Sequence, residues 1–369
     1  MKIECVFSKL SDAVQRIAKI VQKNQSLPIL ESIMFQSGKN ELILRATNLH
    51  VGAEVKVPAK ISGEWQVAIP AAVISSLFQN IKGQDKITLE KDGNLLKIST
   101  DSMESQTKTL PTEDFPSIPT ITDGRSFTVD IKKFRNAVGQ VAYAAANTDA
   151  RPEISSVYIY GEQEGLVFVS TDTYRLAEKR LSVPDSDGFP AIILPIRNIV
   201  EMSSFFQNED GQMEVIVSEN QISFTAGEAY FTSRIYDGAF PDYRQIIPSG
   251  DSLSTAFLKA DLQDALRMIN VFSDPFHKIT INLDPKKKEC TFHSKNADIG
   301  EISSHVPVVF SGELSESLQT TINHRYLDDF VKLANTDNIS LDFVSPQKPI
   351  LASYPGDDSV MYLIMPMNR

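Results

Sequence analysis

Apolar residues recur at helical spacing in the segment that starts at Lys9, where Leu10, Ala13, Val14 and Ile17 fall on one face. The spacing returns at Phe134, Ala137, Val138 and Val141, 124 residues on, and at Leu262, Ala265, Leu266 and Ile269, a further 128 on. A second helical pattern follows a strand-like run in VAIPAAVISSLF, around Pro70; it recurs at Pro195 and at Asn323, 125 and then 128 residues later. Proline suits a first helical turn, where its missing N–H costs nothing. Two unrelated patterns sharing one period mark a triplicated chain. The intervals DKITLEKDGNLLKIST, GQMEVIVSENQISFTAG and DNISLDFVSPQKPILAS alternate like half-buried strands. Asp92-Gly93 and Glu219-Asn220 supply hairpin turns in the first two. The predicted helices span 9–24, 70–82, 131–147, 195–208, 259–272 and 324–335. The class is α+β, helices packed on mostly antiparallel sheets, in three domains over 1–122, 123–249 and 250–369. DFPSIPT and FPDYRQIIPSGDS echo one another at the ends of the first two, which places linkers near 120–124 and 248–253.

A chain of 369 residues exceeds one comfortable core, in keeping with several domains. No stretch approaches the roughly 20 apolar residues that cross a bilayer, and MKIECVFSKL does not read as a signal peptide. Cys5 and Cys290 are the only cysteines, so reduced thiols and a cytoplasmic location are expected. The net charge of −11 argues against tight non-specific nucleic-acid binding, which needs cations to displace counterions. The distribution alters that picture. The predicted helices carry 13 Lys and Arg against six Asp and Glu, a net +7, which leaves −18 for the rest. Arg16, Lys19 and Lys23 share one face of the first predicted helix, and Lys132, Lys133, Arg135 and Arg197 add to the basic set. Helices aimed at a polyanion fit this asymmetry, and contacts of that kind read phosphate rather than base.

Chemistry of other kinds is missing. The sequence has no Gly-rich phosphate loop and no nucleophile elbow. His50, His277, His293, His305 and His324 are scattered, without metal-site spacing. Asp185 and Asp187, and likewise Glu209-Asp210, read as hydrated turns beside glycines. No catalytic residue, cofactor or metal is expected. The chain closes on SVMYLIMPMNR, an apolar run where termini are usually polar. It is either a core strand that happens to be last or an edge strand bordering a binding surface. Paired Met365 and Met367 suit a surface that accepts several partners, and Pro366 would end the strand.

With LPIL (27–30), TDTYRLA (171–177), DGAFPDYRQIIP (237–248) and YLIMPMNR (362–369) in order along three repeats, the chain resembles the bacterial sliding clamps, the β subunits of DNA polymerase III. The likeness covers essentially its whole length. It implies a DNA-clamp fold, closed head to tail into a homodimeric ring that encircles double-stranded DNA without sequence preference, its helices lining the hole. The seven basic residues above would then face a central channel. It also implies a groove that takes short hydrophobic peptides from the clamp loader, the polymerase III catalytic subunit and other polymerases and repair proteins. By resemblance the groove is lined by Ile154, Thr171, Tyr174, Arg175 and Leu176, by Pro241 and Ile246, and by Leu363, Met365, Pro366 and Met367, with Pro346 beside them. The family's subunit contact falls at Val271 and Phe272 against Ser105 and Thr107, with Val73 and Ile81 adding apolar area. Thr173-Tyr174 stands where the family usually has Gly-His, and Pro152-Glu153 where the best-known member has two tyrosines. The competing readings are a triplicated protein-binding scaffold that never encircles DNA, and an enzyme whose residues converge only on folding.

Overall fold

In the computed structural model, residues 1–369 are described except Gln25, Glu164, Asp185, Asp187, 313–316, Asn368 and Arg369. The Asp185/Asp187 pair thus lies outside the described residues. Six α-helices occur among them: α1 (Phe7–Ile17), α2 (Ala71–Asn80), α3 (Ile131–Ala142), α4 (Ile196–Phe205), α5 (Lys259–Val271) and α6 (His324–Leu333). The first repeat runs strand Lys2–Val6, α1, strands Ser32–Ser37, Glu41–Thr47, Val51–Ser62 and Gln66–Pro70, α2, then strands Lys86–Asp92, Leu95–Ser99 and Glu104–Lys108. That order returns from Arg125–Asp130 and again from Leu253–Leu258, where a short strand Val309–Ser311 is added.

Helix ends differ from the periodicity. α1 stops at Ile17, not near residue 24, because Lys19, Ile20 and Val21 donate to carbonyls three residues back. Lys19 and Lys23 therefore do not lie on the helix. The apolar period continues at the fully buried Ile20, which hid the change from sequence reading. α3 likewise ends at Ala142, short of 147, with Ala144 and Ala145 in tighter turns. Pro70 and Pro195 stand one residue before their helices, as caps, and Asn323 replaces them by accepting a bond from the Arg325 N–H at 2.9 Å.

The terminal strand Asp357–Ile364 is not at an edge. It is paired on one side with Arg175–Ser182, Leu363 opposite Leu176, and on the other with Ile350–Tyr354, Leu363 opposite Leu351. Tyr362, fully buried, stacks on Phe330 at 4.9 Å.

The chain packs as two compact units, Met1–Arg135 with Val183–Asp237, and Asn136–Ser182 with Gly238–Arg369. Each is held by a sheet that runs out of one repeat into the next. In the first unit, Ala229–Arg234 of the middle repeat pairs with Val51–Ser62, Phe231 opposite Ala53, within a 12-stranded sheet that begins at Glu104–Lys108. In the second, Arg175–Ser182 pairs with the terminal strand, and a separate four-stranded sheet ends at Gly300–Pro307. Residues 116–122 and 247–252 have no regular secondary structure.

Candidate functional site

The terminal segment and the hairpin 165–182 build one surface of the second unit. Asp172 shapes the hairpin loop: its Oδ1 accepts from the N–H groups of Tyr174 (2.9 Å) and Arg175 (3.0 Å). Thr173 takes a φ of +77°, a costly conformation for a β-branched residue. Beyond the strand, Met365 N–H donates to the Tyr174 carbonyl (2.9 Å) and Met367 N–H to that of Thr321 (2.8 Å). Beneath lies a buried cluster of Val167, Val169, Leu176, Tyr243 and Leu363, with Phe240 and Ile247 packed against it.

The expected lining divides into floor and wall. Leu176, Leu363, Thr171 and Ile154 are buried and form floor or core. Tyr174 (63% exposed), Ile246, Pro241 and Pro346 are exposed, and Met365, Pro366 and Met367 are half-buried. Arg175 is engaged elsewhere. Its Nε bonds Asp172 (2.9 Å), its Nη1 bonds Asp329 of α6 (2.6 Å), and its guanidinium lies 4.7 Å from the Tyr326 ring. It ties the loop to a helix.

A closed polar circuit holds the wall segment Tyr243–Ile246, and sequence reasoning missed it. Tyr243 donates to Glu178 Oε2 (2.5 Å), and its hydroxyl lies 2.8 Å from that of Tyr160. Arg244 Nη2 donates to Tyr160 (2.9 Å) and Glu162 (2.5 Å), and Arg180 bridges Glu162 and Glu178 at 3.0 Å each. Burial, then the carboxylate of Glu178, push the Tyr243 phenol far above its ordinary value. Alternation alone does not show which polar residues meet across strands.

In the first unit, basic side chains gather at the end of α4. Arg16 donates Nε to the Phe205 carbonyl (2.7 Å) and Nη1 to Glu209 (2.6 Å), its guanidinium 4.3 Å from the Phe205 ring. Lys19 donates to the Ser204 carbonyl (3.0 Å) and Arg135 to that of Gln207 (3.0 Å). Helix C-termini attract cations in this way. Burial, then Arg16 and Arg135 nearby, lower the Lys19 pKa. Lys132 pairs with Asp210 at 2.8 Å, so the Glu209-Asp210 turn holds two bases rather than water alone. Lys23, Lys133 and Arg197 are exposed. Over the helices as observed the balance is 10 basic to six acidic residues, less lopsided than expected because Lys19, Lys23 and Lys82 fall outside them.

Glu104–Lys108 and Gly300–Pro307 each end a sheet, as do Arg125–Asp130, Ile192–Pro195, Val309–Ser311 and Leu318–Asn323 among the described residues. Beside Gly300–Pro307, Val271 is 63% exposed and Phe272 packs near Gly300. Val73 is exposed, whereas Ile81, Ser105 and Thr107 are half-buried. Exposed Met268, Phe276 and Ile299 were missed. The signal for the last two was a large apolar residue inside a polar turn, SDPFHK and NADIGE.

Folding brings two scattered histidines together. Ser273 Oγ lies 2.9 Å from His277 Nδ1 and 3.0 Å from His324 Nε2. Among the described residues no group of three or more His, Cys, Asp or Glu could hold a metal. Cys5 and Cys290 are buried and unpaired, and burial pushes the Cys5 thiol up to about 12.

Three helix-on-sheet repeats with an apolar surface beside the last strand are the architecture that the resemblance to the sliding clamps implies. Residues 1–119, 128–242 and 244–368 match the N-terminal, central and C-terminal domains of the DNA polymerase III beta subunit. The chain belongs to that family. It is 22% identical to the beta sliding clamp of Staphylococcus aureus, over 100% of this chain and 98% of the relative. The Thermotoga maritima DNA polymerase III beta subunit has the same fold, with a TM-score of 0.93 at 23% identity, covering 100% of this chain and 99% of that one. The Bacillus subtilis sliding clamp gives 0.93 at 20% identity, over 100% and 99%.

Proposed function

We propose that two copies of this chain close head to tail around duplex DNA, and that the ring tethers the replicative polymerase and other replication and repair proteins. The observation that carries this reading is that Glu104–Lys108 in the first repeat and Gly300–Pro307 in the third end their sheets, whereas their counterparts in the other repeats pair across a repeat boundary, within a chain of the sliding-clamp family. A heterologous contact of this kind closes if its rotation completes a turn. Division into domains at 1–122, 123–249 and 250–369 fits this scheme. Topological capture needs only weak, screened attraction, which suits an acidic protein whose basic residues gather near helix ends. Work on the chromosome places it in the cytoplasm. Tyr174, Ile246, Pro241 and the Met365–Met367 segment form the wall that peptides from the clamp loader and polymerases would contact. Burying two or three apolar anchors at about 1.5–3 kcal/mol each, less ordering costs, gives micromolar binding.

Light scattering should give a mass near twice 41.0 kDa. Loaded protein should stay on closed circular DNA in moderate salt and be shed when the circle is cut. Met365→Ala with Met367→Ala should keep both properties and lose a fluorescent peptide bearing a Leu-Phe pair. Equal retention on circular and linear DNA would refute encirclement.

A further inference from the structure

The first two repeats differ at three matched strand positions. In the first, Gln36, Arg45 and Glu54 sit on neighbouring strands, and Arg45 donates Nε to Glu54 (2.6 Å) and Nη1 to Gln36. The positions 124 residues on are Tyr160, Val169 and Glu178, with Val169 opposite Glu178 as Arg45 is opposite Glu54. Val169 is fully buried in the floor of the groove. Where the first repeat has an in-sheet arginine, the second therefore has apolar floor. Glu178, 5% exposed, lacks the neighbour that Glu54 has. A buried carboxylate left without a partner is strongly destabilising. Its partners come from other places: Arg180 (3.0 Å) and the hydroxyl of Tyr243 (2.5 Å).

The two linkers are fastened in opposite senses. In the first, the phenol belongs to the sheet. Tyr230, opposite Glu54, accepts from the Ile121 N–H (3.0 Å) and donates to the Pro119 carbonyl (2.9 Å). In the second, Met361 stands opposite Glu178, and the phenol belongs to the linker. Residues 238–252 join no strand. The polar fastening of Tyr243–Ile246 to the sheet is thus made by side chains, Tyr243 on Glu178 and Tyr160, and Arg244 on Tyr160 and Glu162.

We propose that Glu178 and Tyr243 are positioning residues that set the wall of the groove, so that peptide affinity depends on a buried hydroxyl. The inference rests on the groove being the partner site and adds what fixes its shape. Pro241 and Ile246 are exposed on the wall, and the circuit beneath decides where they stand. Floor and wall then follow from one residue. Val169 supplies apolar surface, and by removing the cation that satisfies the equivalent Glu54 it leaves Glu178 to capture the linker.

Tyr243→Phe keeps the ring in the floor cluster and removes the hydroxyl, which separates the circuit from packing. Trypsin reads the wall directly, since it cuts after Arg244 when that segment lets go of the sheet. In Tyr243→Phe that cut should quicken about tenfold relative to cuts elsewhere, and the Kd of a fluorescent peptide bearing a Leu-Phe pair should rise about threefold to tenfold, in line with a lost bond to a charged acceptor. Glu178→Gln, which keeps an acceptor of the same shape, should fall between wild type and Tyr243→Phe in both readouts. Bound peptide should slow the cut in the wild type. Weaker peptide binding with the cut at its wild-type rate overturns the positioning role, and so does a faster cut with an unchanged Kd. Faster cutting along the whole chain marks general destabilisation and overturns it as well. A wild-type protein that binds no peptide overturns the groove reading itself, and this inference with it.

Discussion

Thr173 shows how much strain one residue can hold in place. Its left-handed φ costs an L-residue about 1–2 kcal/mol, and the Asp172 and Thr171 side chains fix the loop around it. Thr173→Gly removes that strain, less the extra entropy of glycine. The urea midpoint should rise by the equivalent of about 0.5–1 kcal/mol, and a fall would show the conformation to be unstrained. His324 makes a second single-residue case. It is 2% exposed, and burial, then His277, hold its pKa near 4 against an ordinary 6.5. The unfolded chain binds its proton below about 6.5 and the folded chain only near 4. Stability from the neutral ring is therefore complete above 6.5 and is lost as pH falls toward 4, by at most about 3 kcal/mol. Denaturation of His324→Gln should show a flatter pH dependence across that window; an identical slope would place the titrating group elsewhere. Neither residue stood out in the sequence beyond Thr173 occupying a usual glycine, because strain and burial belong to the folded backbone.

At the scale of elements, local periodicity located all six helices and misplaced their ends. The apolar stripe of α1 runs on through Ile20, and one-dimensional spacing does not separate an α-turn from the tighter turns that follow Ile17. The terminal strand runs beside Arg175–Ser182 and, unlike the edge strand expected from the sequence, is covered on its other side by Ile350–Tyr354. Distance along the chain hid a second role of Arg16, which reads as one of a basic set aimed at a polyanion and also closes the end of α4. Arg16→Met should destabilise the protein by about 1–3 kcal/mol, since it strips the Phe205 carbonyl and Glu209 of a charged donor. In the second unit Gln140 Nε2 reaches the Leu333 carbonyl at a longer 3.5 Å, and Gln140→Met should cost less. Comparing the two urea midpoints decides it, and equal losses would mean the charge contributes nothing.

For the whole molecule, the triplication was readable because each helix pattern is local and its period is shared. The division into two compact units was not, since it follows one sheet that joins the middle repeat to the first and another that joins it to the third. The expected groove residues were named as a group through the four matching segments. Which of them form floor and which form wall was not, since Leu176 and Tyr174 differ in burial and not in pattern.

The sheets that pass from repeat to repeat also set a schedule for synthesis. Val51–Ser62 leaves the ribosome about 180 residues before Ala229–Arg234, and Arg175–Ser182 about as long before Asp357–Ile364, which at 5–20 residues per second is roughly 10–35 s. Throughout that wait each strand offers unpaired N–H and C=O groups to any other nascent chain. The waiting strands are dressed for it: Glu54, Lys56 and Pro58 on the first, whose residues 59–62 already pair with Lys2–Val6, and Arg175, Glu178, Lys179 and Arg180 on the second. Charge and proline are what discourage the wrong partner at an open edge. The strands that arrive later, AYFTSR and DDSVMYLI, find their partners already made and carry few such guards.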